Sequence, residues 1–396
     1  MSVFDHKADR SGNIFWLKDV FTPEACREAG LLSYCGAEFE FPTCPALVRG
    51  VQEAAAKGIF GYNLPRAAYL KAVQWWMQQV RGYDLNPDWV VTTHGTIFAL
   101  ATTIRLVTQP GDNIMILTPT YNRYEQAATR LGRSTVKVGF RCENGVYSLD
   151  DAALEAAMAI PENKLLVLCN PNNPTGHVLN REELARIAIL AERHGVTVFS
   201  DEIFADVAFG ETPVPVYASV AGCKGQAITC TSLGKTFSLT GVNHANVIIE
   251  NDELRERYIA QRNADHYGSI DPMHAAAVMG AYSEEGYVWL QALKAYVQEN
   301  FRLVTAFMQE YIPEARVNKP EGSFVLWVDY AALGMDSKDL DDLLVRHGCF
   351  AGDHGEEYYG PETCVRYSLA VPRAELEKSL NRLAQTLRNR SKSTSI

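Results

Sequence analysis

The strongest constraint on the fold is an alternation of strand and helix patterns between about residues 88 and 250. Short, continuously apolar stretches are typical of strands buried on both faces of a sheet. Helical patterns such as residues 181–194 separate several of them, which predicts a mainly parallel sheet covered by helices on both sides. We predict strands over residues 89–93, 113–117, 164–168, 196–200, 227–230 and 246–249.

The rest of the chain predicts a second, smaller domain of the α+β class. The first ~40 residues cannot bury a core alone, so we expect them to pack on that domain. The predicted large α/β domain therefore covers residues 46–289, and the small domain comprises residues 1–45 and 290–396. A long helix near 286–312 is expected to link the sheet to this domain. The elements of the small domain are an alternating segment 323–329, a helix near 337–347, a strand 365–370 and a closing helix 373–390.

Composition excludes several classes of partner. The formal net charge is −10 and no run of Lys or Arg occurs, which argues against a nucleic-acid or anionic-membrane partner. No stretch of about 18 apolar residues predicts a spanning helix, and no signal peptide is evident at the start. The nine cysteines are odd in number and irregularly spaced, without C-x-x-C. We therefore expect a cytoplasmic protein with reduced thiols, and neither a disulfide framework nor a zinc or other metal site.

An ordered set of polar residues predicts the chemistry. Asn173, Asp201 and Ser232-x-x-Lys235 each follow a predicted strand, and ligands on parallel sheets bind at the carboxyl ends of strands. This order suits pyridoxal 5′-phosphate (PLP): the lysine forms an imine with the aldehyde, and the carboxylate holds the pyridine nitrogen protonated. The amide donates to the ring 3′ oxygen and the serine meets the phosphate. Individually, these residues also fit a sharp loop and an exposed strand-end carboxylate.

Two further segments join this set. Gly95 and Thr96 end a strand and open a helix, whose free N–H groups and dipole favour an anion. Alone this is a simple turn, but together with Ser232 and Lys235 it predicts a phosphate cradle. Tyr121 follows the second strand and either stacks on the cofactor ring or makes ordinary packing contacts.

Arg366 lies in a predicted strand, where an inward guanidinium is costly unless it meets an anion. A substrate α-carboxylate would suit its bidentate fork. A structural ion pair is an equally good interpretation.

Together these residues resemble the class I/II aminotransferase family of fold type I PLP enzymes, over about residues 12–390. The likeness is greater to the cystathionine β-lyase-like branch. It implies a fold type I α/β major domain and a homodimer with shared active sites, in which Tyr62 reaches the phosphate of the neighbouring subunit. The stretches that carry the branch likeness are residues 58–62, 192–196, 200–203 and 372–378.

The chain departs from the family at two cofactor positions. Asn243 stands where aminotransferases usually carry a phosphate-binding arginine, and His244 or an unseen cation is expected to compensate. Phe204 stands where the family often has a tyrosine, so Asn173 would contact the ring oxygen alone.

A third departure lies in Glu38-Phe39-Glu40, within a segment that the resemblance places at the substrate pocket. Either the two glutamates face solvent from an edge strand, or Glu38 and Glu40 select a substrate with a cationic or hydrogen-bonding distal group.

Three functions remain open. In each of the two enzymatic ones, Lys235 removes the α-proton of an amino-acid substrate. A lyase then eliminates a group from Cβ or Cγ, breaking a C–S, C–O or C–N bond to give a 2-oxo acid and ammonia. An aminotransferase instead passes the amino group to a 2-oxo acid. A PLP-binding regulatory protein is the third possibility, and the branch likeness favours elimination.

Overall fold

The computed structural model describes residues 2–10, 17–61, 66–268 and 270–393. The strands of the described chain are β1 Val90–Thr93, β2 Asn113–Thr118, β3 Ser134–Gly139, β4 Arg141–Glu143, β5 Val146–Ser148, β6 Asn163–Cys169, β7 Thr197–Asp201, β8 Ala227–Thr231, β9 Ala245–Ile248, β10 Arg316–Val317, β11 Val325–Asp329, β12 Asp353–His354 and β13 Cys364–Ser368.

The centre of the molecule is a seven-stranded sheet in the order β1-β9-β8-β7-β6-β2-β3. Strands β3, β2, β6, β7 and β8 pair in parallel, whereas β9 runs antiparallel to both β8 and β1. All six strands that the sequence predicts between residues 88 and 250 are present in this sheet, so the mainly parallel α/β sheet is confirmed. The edge strand β3 was not predicted, because its half-exposed Ser-Thr-Val-Lys-Val pattern lacks the continuous apolar signal.

The helices of the described chain are α1 Leu17–Val20, α2 Glu24–Glu28, α3 Pro45–Ala56, α4 Arg66–Arg81, α5 Thr96–Val107, α6 Arg123–Arg130, α7 Asp151–Met158, α8 Arg181–His194, α9 Leu233–Thr236, α10 Asp252–Ala264, α11 Pro272–Ala281, α12 Glu284–Tyr311, α13 Ser337–Asp341 and α14 Arg373–Ser393. A π-helical segment, Asp342–His347, continues α13. Among the described helices, none is long and apolar enough to cross a membrane.

Helix α8 illustrates how local side chains define the two ends and the buried face of a helix. The Asn180 side chain accepts from the backbone N–H groups of Glu182 and Glu183, which caps the first turn. Gly195 adopts φ 66° and ends the helix in a left-handed conformation. Its buried stripe, which includes Leu184 and Ile187, packs against the sheet.

The N-terminal segment packs on the C-terminal sheet, whose order is β10-β11-β13-β12. The Tyr34 N–H donates to the Ala351 carbonyl at 2.8 Å, and the Ser368 N–H donates to the Tyr34 carbonyl at 2.8 Å. The Tyr34 ring also contacts Phe350, with 4.8 Å between centroids. These contacts support a small domain built from both chain ends, while its boundaries at 45/46 and 289/290 stay a prediction.

Candidate active site

A cleft of about 990 Å³ opens at the carboxyl ends of the central strands. Asp201 is the last residue of β7, and Lys235 follows β8 in the short helix α9. The cleft collects five residues that the sequence singled out, although they are far apart in the chain: Tyr121, Asn173, Asp201, Lys235 and Arg366.

Lys235 projects into this cleft half-buried. Its amine donates to the Ala37 carbonyl at 2.9 Å and lies 5.8 Å from the centroid of the Phe204 ring. Burial, helped by the Arg366 charge, lowers the pKa of the amine to about 8 against the opposing pull of Glu38 and Asp201. The amine is therefore much more often neutral near pH 7 than an exposed lysine, as a nucleophile or general base requires.

Asp201 is a buried carboxylate held by two donors. The Tyr124 hydroxyl donates to it at 2.7 Å, and the Ile203 N–H donates at 3.2 Å. Burial raises the pKa of Asp201 to about 6, although the Tyr124 hydrogen bond and the Lys235 charge work in the other direction. A cationic N–H beside this carboxylate would stabilise its ionised form.

Arg366 meets two protein partners inside the cleft. One terminal nitrogen, Nη1, donates to the Asn173 side-chain oxygen at 2.9 Å, and Nη2 forms an ion pair with Asp353. The guanidinium also lies over the Tyr358 ring, 4.7 Å from its centroid. Burial, the largest single influence, lowers the pKa of Arg366, but the Asp353 carboxylate and the Tyr358 hydroxyl together act against it and the pKa is raised overall.

The structural ion pair considered for Arg366 is thus present, yet the guanidinium keeps an unused donor. Its Nε is buried and has no hydrogen-bond partner among the described residues. A buried N–H of this kind is costly unless a ligand satisfies it, so an incoming carboxylate remains compatible with Arg366.

The predicted phosphate cradle lies where helix α5 begins. Gly95 precedes this helix with φ 80°. Asn243 packs beside Gly95, so that a Cβ atom added to Gly95 would lie 3.7 Å from the Asn243 side-chain oxygen. Thr96 is the first residue of α5. The Ser232 hydroxyl accepts from the Gly234 N–H at 3.0 Å and donates to the His244 carbonyl at 2.7 Å. Its role toward a phosphate stays a prediction.

His244 does not supply the missing cation. Its ring is 3% exposed, and Nε2 lies 2.7 Å from the Tyr69 hydroxyl. Burial lowers the pKa of His244 to about 3, so the ring is neutral at physiological pH. Of the two expected replacements for the phosphate-binding arginine, His244 is therefore not a cation in this structure, and the other, an unseen cation, stays a prediction.

The two glutamates of the N-terminal segment have separate environments. The half-buried Glu38 accepts from the Thr240 hydroxyl at 2.5 Å and lies close enough to Lys235 to influence its pKa. Glu40 is 3% exposed, 3.5 Å from Arg10, and is not among the described residues that line the cleft. The structure thus gives Glu40 neither the solvent-facing position nor the pocket-lining position that the sequence suggested.

Tyr62, predicted to reach a neighbouring subunit, lies outside the described residues. Among the lining residues that were not predicted, three contact Asp201 or Arg366: Tyr124, Asp353 and Tyr358. Tyr124 follows Tyr121 by three residues at the start of a helix, so helical spacing from Tyr121 could have suggested it. Asp353 stands directly opposite Arg366 in the β12–β13 pair, a register that two residues of strand could not reveal.

This donor set fits PLP. The cleft combines a lysine of lowered pKa and a buried carboxylate, the groups that the aldehyde and the ring nitrogen respectively need. Gly95, Thr96 and Ser232 are not among the described residues that line the cleft, so the phosphate site at the start of α5 stays a prediction. Within the described ranges, no cluster of His, Cys, Asp and Glu has the make-up of a metal site.

Comparison with known proteins decides the family. The profile of the family described as aminotransferase class I and II matches residues 33–383. The chain belongs to this family. It is 29% identical to cystathionine beta-lyase PatB of Bacillus subtilis, over 97% of this chain and 99% of that protein. It is 30% identical to the protein MalY of Escherichia coli, over 91% of this chain and 92% of that protein.

A solved structure is similar in fold over nearly the whole chain. Cystalysin from Treponema denticola, which contains a PLP cofactor, superimposes with a TM-score of 0.92 at 28% identity, covering 98% of each chain. The predicted family and fold class are confirmed, and the protein is a PLP-dependent enzyme.

Proposed function

We propose that the protein is a cytoplasmic lyase that uses PLP to eliminate a thiol from the β-carbon of an amino acid, giving a 2-oxo acid and ammonia. The observation that carries the proposal is the cleft that holds Lys235, Asp201 and Arg366 together, in a chain that spans nearly all of a cystathionine beta-lyase. The nine cysteines all lie in the described part of the chain as free thiols, which supports a reducing compartment.

Each of the predicted cleft residues would have a separate role in the reaction. When bound, the cofactor supplies an aldehyde for covalent attachment and a ring that accepts electrons. Asp201, oriented by Tyr124, would hold the proton on the ring nitrogen, and Asn173 would donate to the ring oxygen. Arg366 orients the substrate through its α-carboxylate, using the free Nε.

Lys235 carries the proton transfers. Its neutral amine would take the α-proton, and the resulting ammonium would return that proton to the departing sulfur. The bond between Cβ and sulfur breaks, the electron pair leaves with the thiolate, and the released enamine hydrolyses to a 2-oxo acid and ammonia.

Transamination is the second candidate, because the same lysine, carboxylate and arginine serve both reactions and the family carries the aminotransferase name.

The purified enzyme should convert L-cystathionine or an S-alkylcysteine to equal amounts of pyruvate, ammonia and thiol without added 2-oxo acid. Glutamate formed only when 2-oxoglutarate is present would instead establish an aminotransferase. A protein that binds PLP and does neither would favour the regulatory role.

A homodimer is part of the proposal. Ile59 and Phe60 are 75% and 65% exposed, and they directly precede the segment that contains Tyr62. Large exposed apolar side chains in one place mark an interaction surface. A second copy covering Ile59 and Phe60 fits the homodimer with shared active sites that the resemblance implies.

The pKa of Lys235 gives a pH prediction. Only the neutral amine attacks an aldehyde, and with a pKa of about 8 its fraction grows as pH rises and levels off above that value. We expect the rate at which apoenzyme takes up PLP, followed by visible absorbance, to rise from pH 6 to a plateau above about 8. A rate still climbing in proportion to hydroxide up to pH 10 would show an ordinary, solvated lysine.

A further inference from the structure

Asp353 places a carboxylate inside the substrate cleft. It lies opposite Arg366 in the β12–β13 pair and forms an ion pair with Nη2 of that arginine. Its two oxygens also lie 3.2 and 3.0 Å from the Gly36 N–H, which donates to them. The Asp353 side chain is only 13% exposed, so its charge depends on these partners and on whatever occupies the cleft.

Binding of an amino acid would add a carboxylate beside Arg366, where Asp353 and Glu357 already lie. The other basic residues in the described lining of the cleft are Arg123, Lys235, Arg346 and His354. Arg366 carries one positive charge, and Asp353 already neutralises it. A substrate α-carboxylate on the free Nε would make two carboxylates share one guanidinium. Glu357 lines the same wall, and its pKa is raised by burial and then by the Asp353 charge. A positive charge on the substrate side chain, placed near Asp353, would offset the added negative charge.

We propose that Asp353 is a specificity-determining residue that selects amino-acid substrates whose side chain ends in a cation, such as a primary ammonium. The inference rests on the proposed function only in that an amino acid binds in this cleft. Asp353 thereby takes the role that the sequence suggested for Glu38 and Glu40, because Glu38 bonds to Thr240 and Glu40 lies near Arg10.

L-Lysine and L-norleucine test this preference. Their side chains have similar length and end in an ammonium and a methyl group, and neither has a leaving group on Cβ. Binding to the holoenzyme is therefore read from its visible spectrum without elimination. We expect the Kd of lysine to be at least about tenfold lower than that of norleucine, the effect of one charge-assisted hydrogen bond.

Substitutions assign the preference to Asp353. Asp353→Asn should bring the two Kd values to within about twofold, the size of a neutral contact, whereas Asp353→Glu should keep part of the preference. Glu28→Gln is the matched control, because Glu28 is an exposed residue at the rim of the same cleft, and the variant loses the same charge. This control should keep the wild-type ratio.

Equal Kd values in the wild type, or an unchanged ratio in Asp353→Asn, would overturn the inference. If Asp353→Asn does not fold, the ratio of the two Kd values in the wild type and in Asp353→Glu tests the inference. This test does not depend on whether the enzyme is a lyase or an aminotransferase, since either can prefer lysine over norleucine. Rapid elimination from neutral substrates together with equal Kd values would refute the role of Asp353 alone.

Discussion

Replacing Lys235 by alanine should reduce kcat for elimination by about 10⁴-fold or more. One side chain supplies both the covalent attachment and the general base, and general acid–base catalysis alone typically contributes 10²–10⁴-fold. The variant should also lose borohydride-stable attachment of the cofactor, because no other lysine lines the described part of the cleft. Steady-state kinetics and mass mapping of the reduced protein give the two readouts.

Lys224→Ala is the matched control. Lys224 lies on the surface with its side chain 72% exposed and forms an ion pair with Glu250 at 2.6 Å. Exposed pairs of this kind contribute little, so this variant should keep wild-type turnover and labelling at Lys235. Labelling at Lys224, or substantial turnover by Lys235→Ala, would show that the catalytic lysine has been assigned wrongly.

The second large effect concerns Asp201. Asp201→Asn keeps the shape of the side chain but removes the charge that would hold the ring nitrogen protonated. We expect kcat/KM to fall by about 10²–10⁴-fold, because breaking a buried ion pair costs about 3–5 kcal/mol and each ~1.4 kcal/mol is a factor of ten. Lys235 should still attach to the cofactor, so the variant should remain coloured but nearly inactive.

Tyr124→Phe provides a graded comparison. It removes the 2.7 Å hydrogen bond to Asp201 and leaves the carboxylate in place. The loss of one hydrogen bond to a charged group costs about 1.5–3 kcal/mol, so we expect kcat/KM to fall by roughly 10–100-fold.

Near wild-type kinetics in Asp201→Asn would mean that a residue other than Asp201 contacts the ring nitrogen.

Local patterns in the sequence were sufficient for the framework of the fold. The continuously apolar runs predicted the six buried strands, since a strand covered on both faces needs apolar residues at every position. The helix predicted over residues 181–194 is also present, and in the structure Asn180 and Gly195 cap its two ends. The edge strand β3 carries no such signal and was missed.

The sequence by itself determined the sheet, the family and the identity of the lysine, carboxylate, amide and arginine that share the cleft, because strand ends in a parallel sheet converge on one edge. Tertiary structure alone decided the charges around them. Burial made His244 neutral, the β12–β13 register placed Asp353 against Arg366, and packing near Arg10 removed Glu40 from the pocket. These outcomes depend on which groups meet across long sequence separations and on how much water remains around them, and neither quantity is a property of a local stretch of chain.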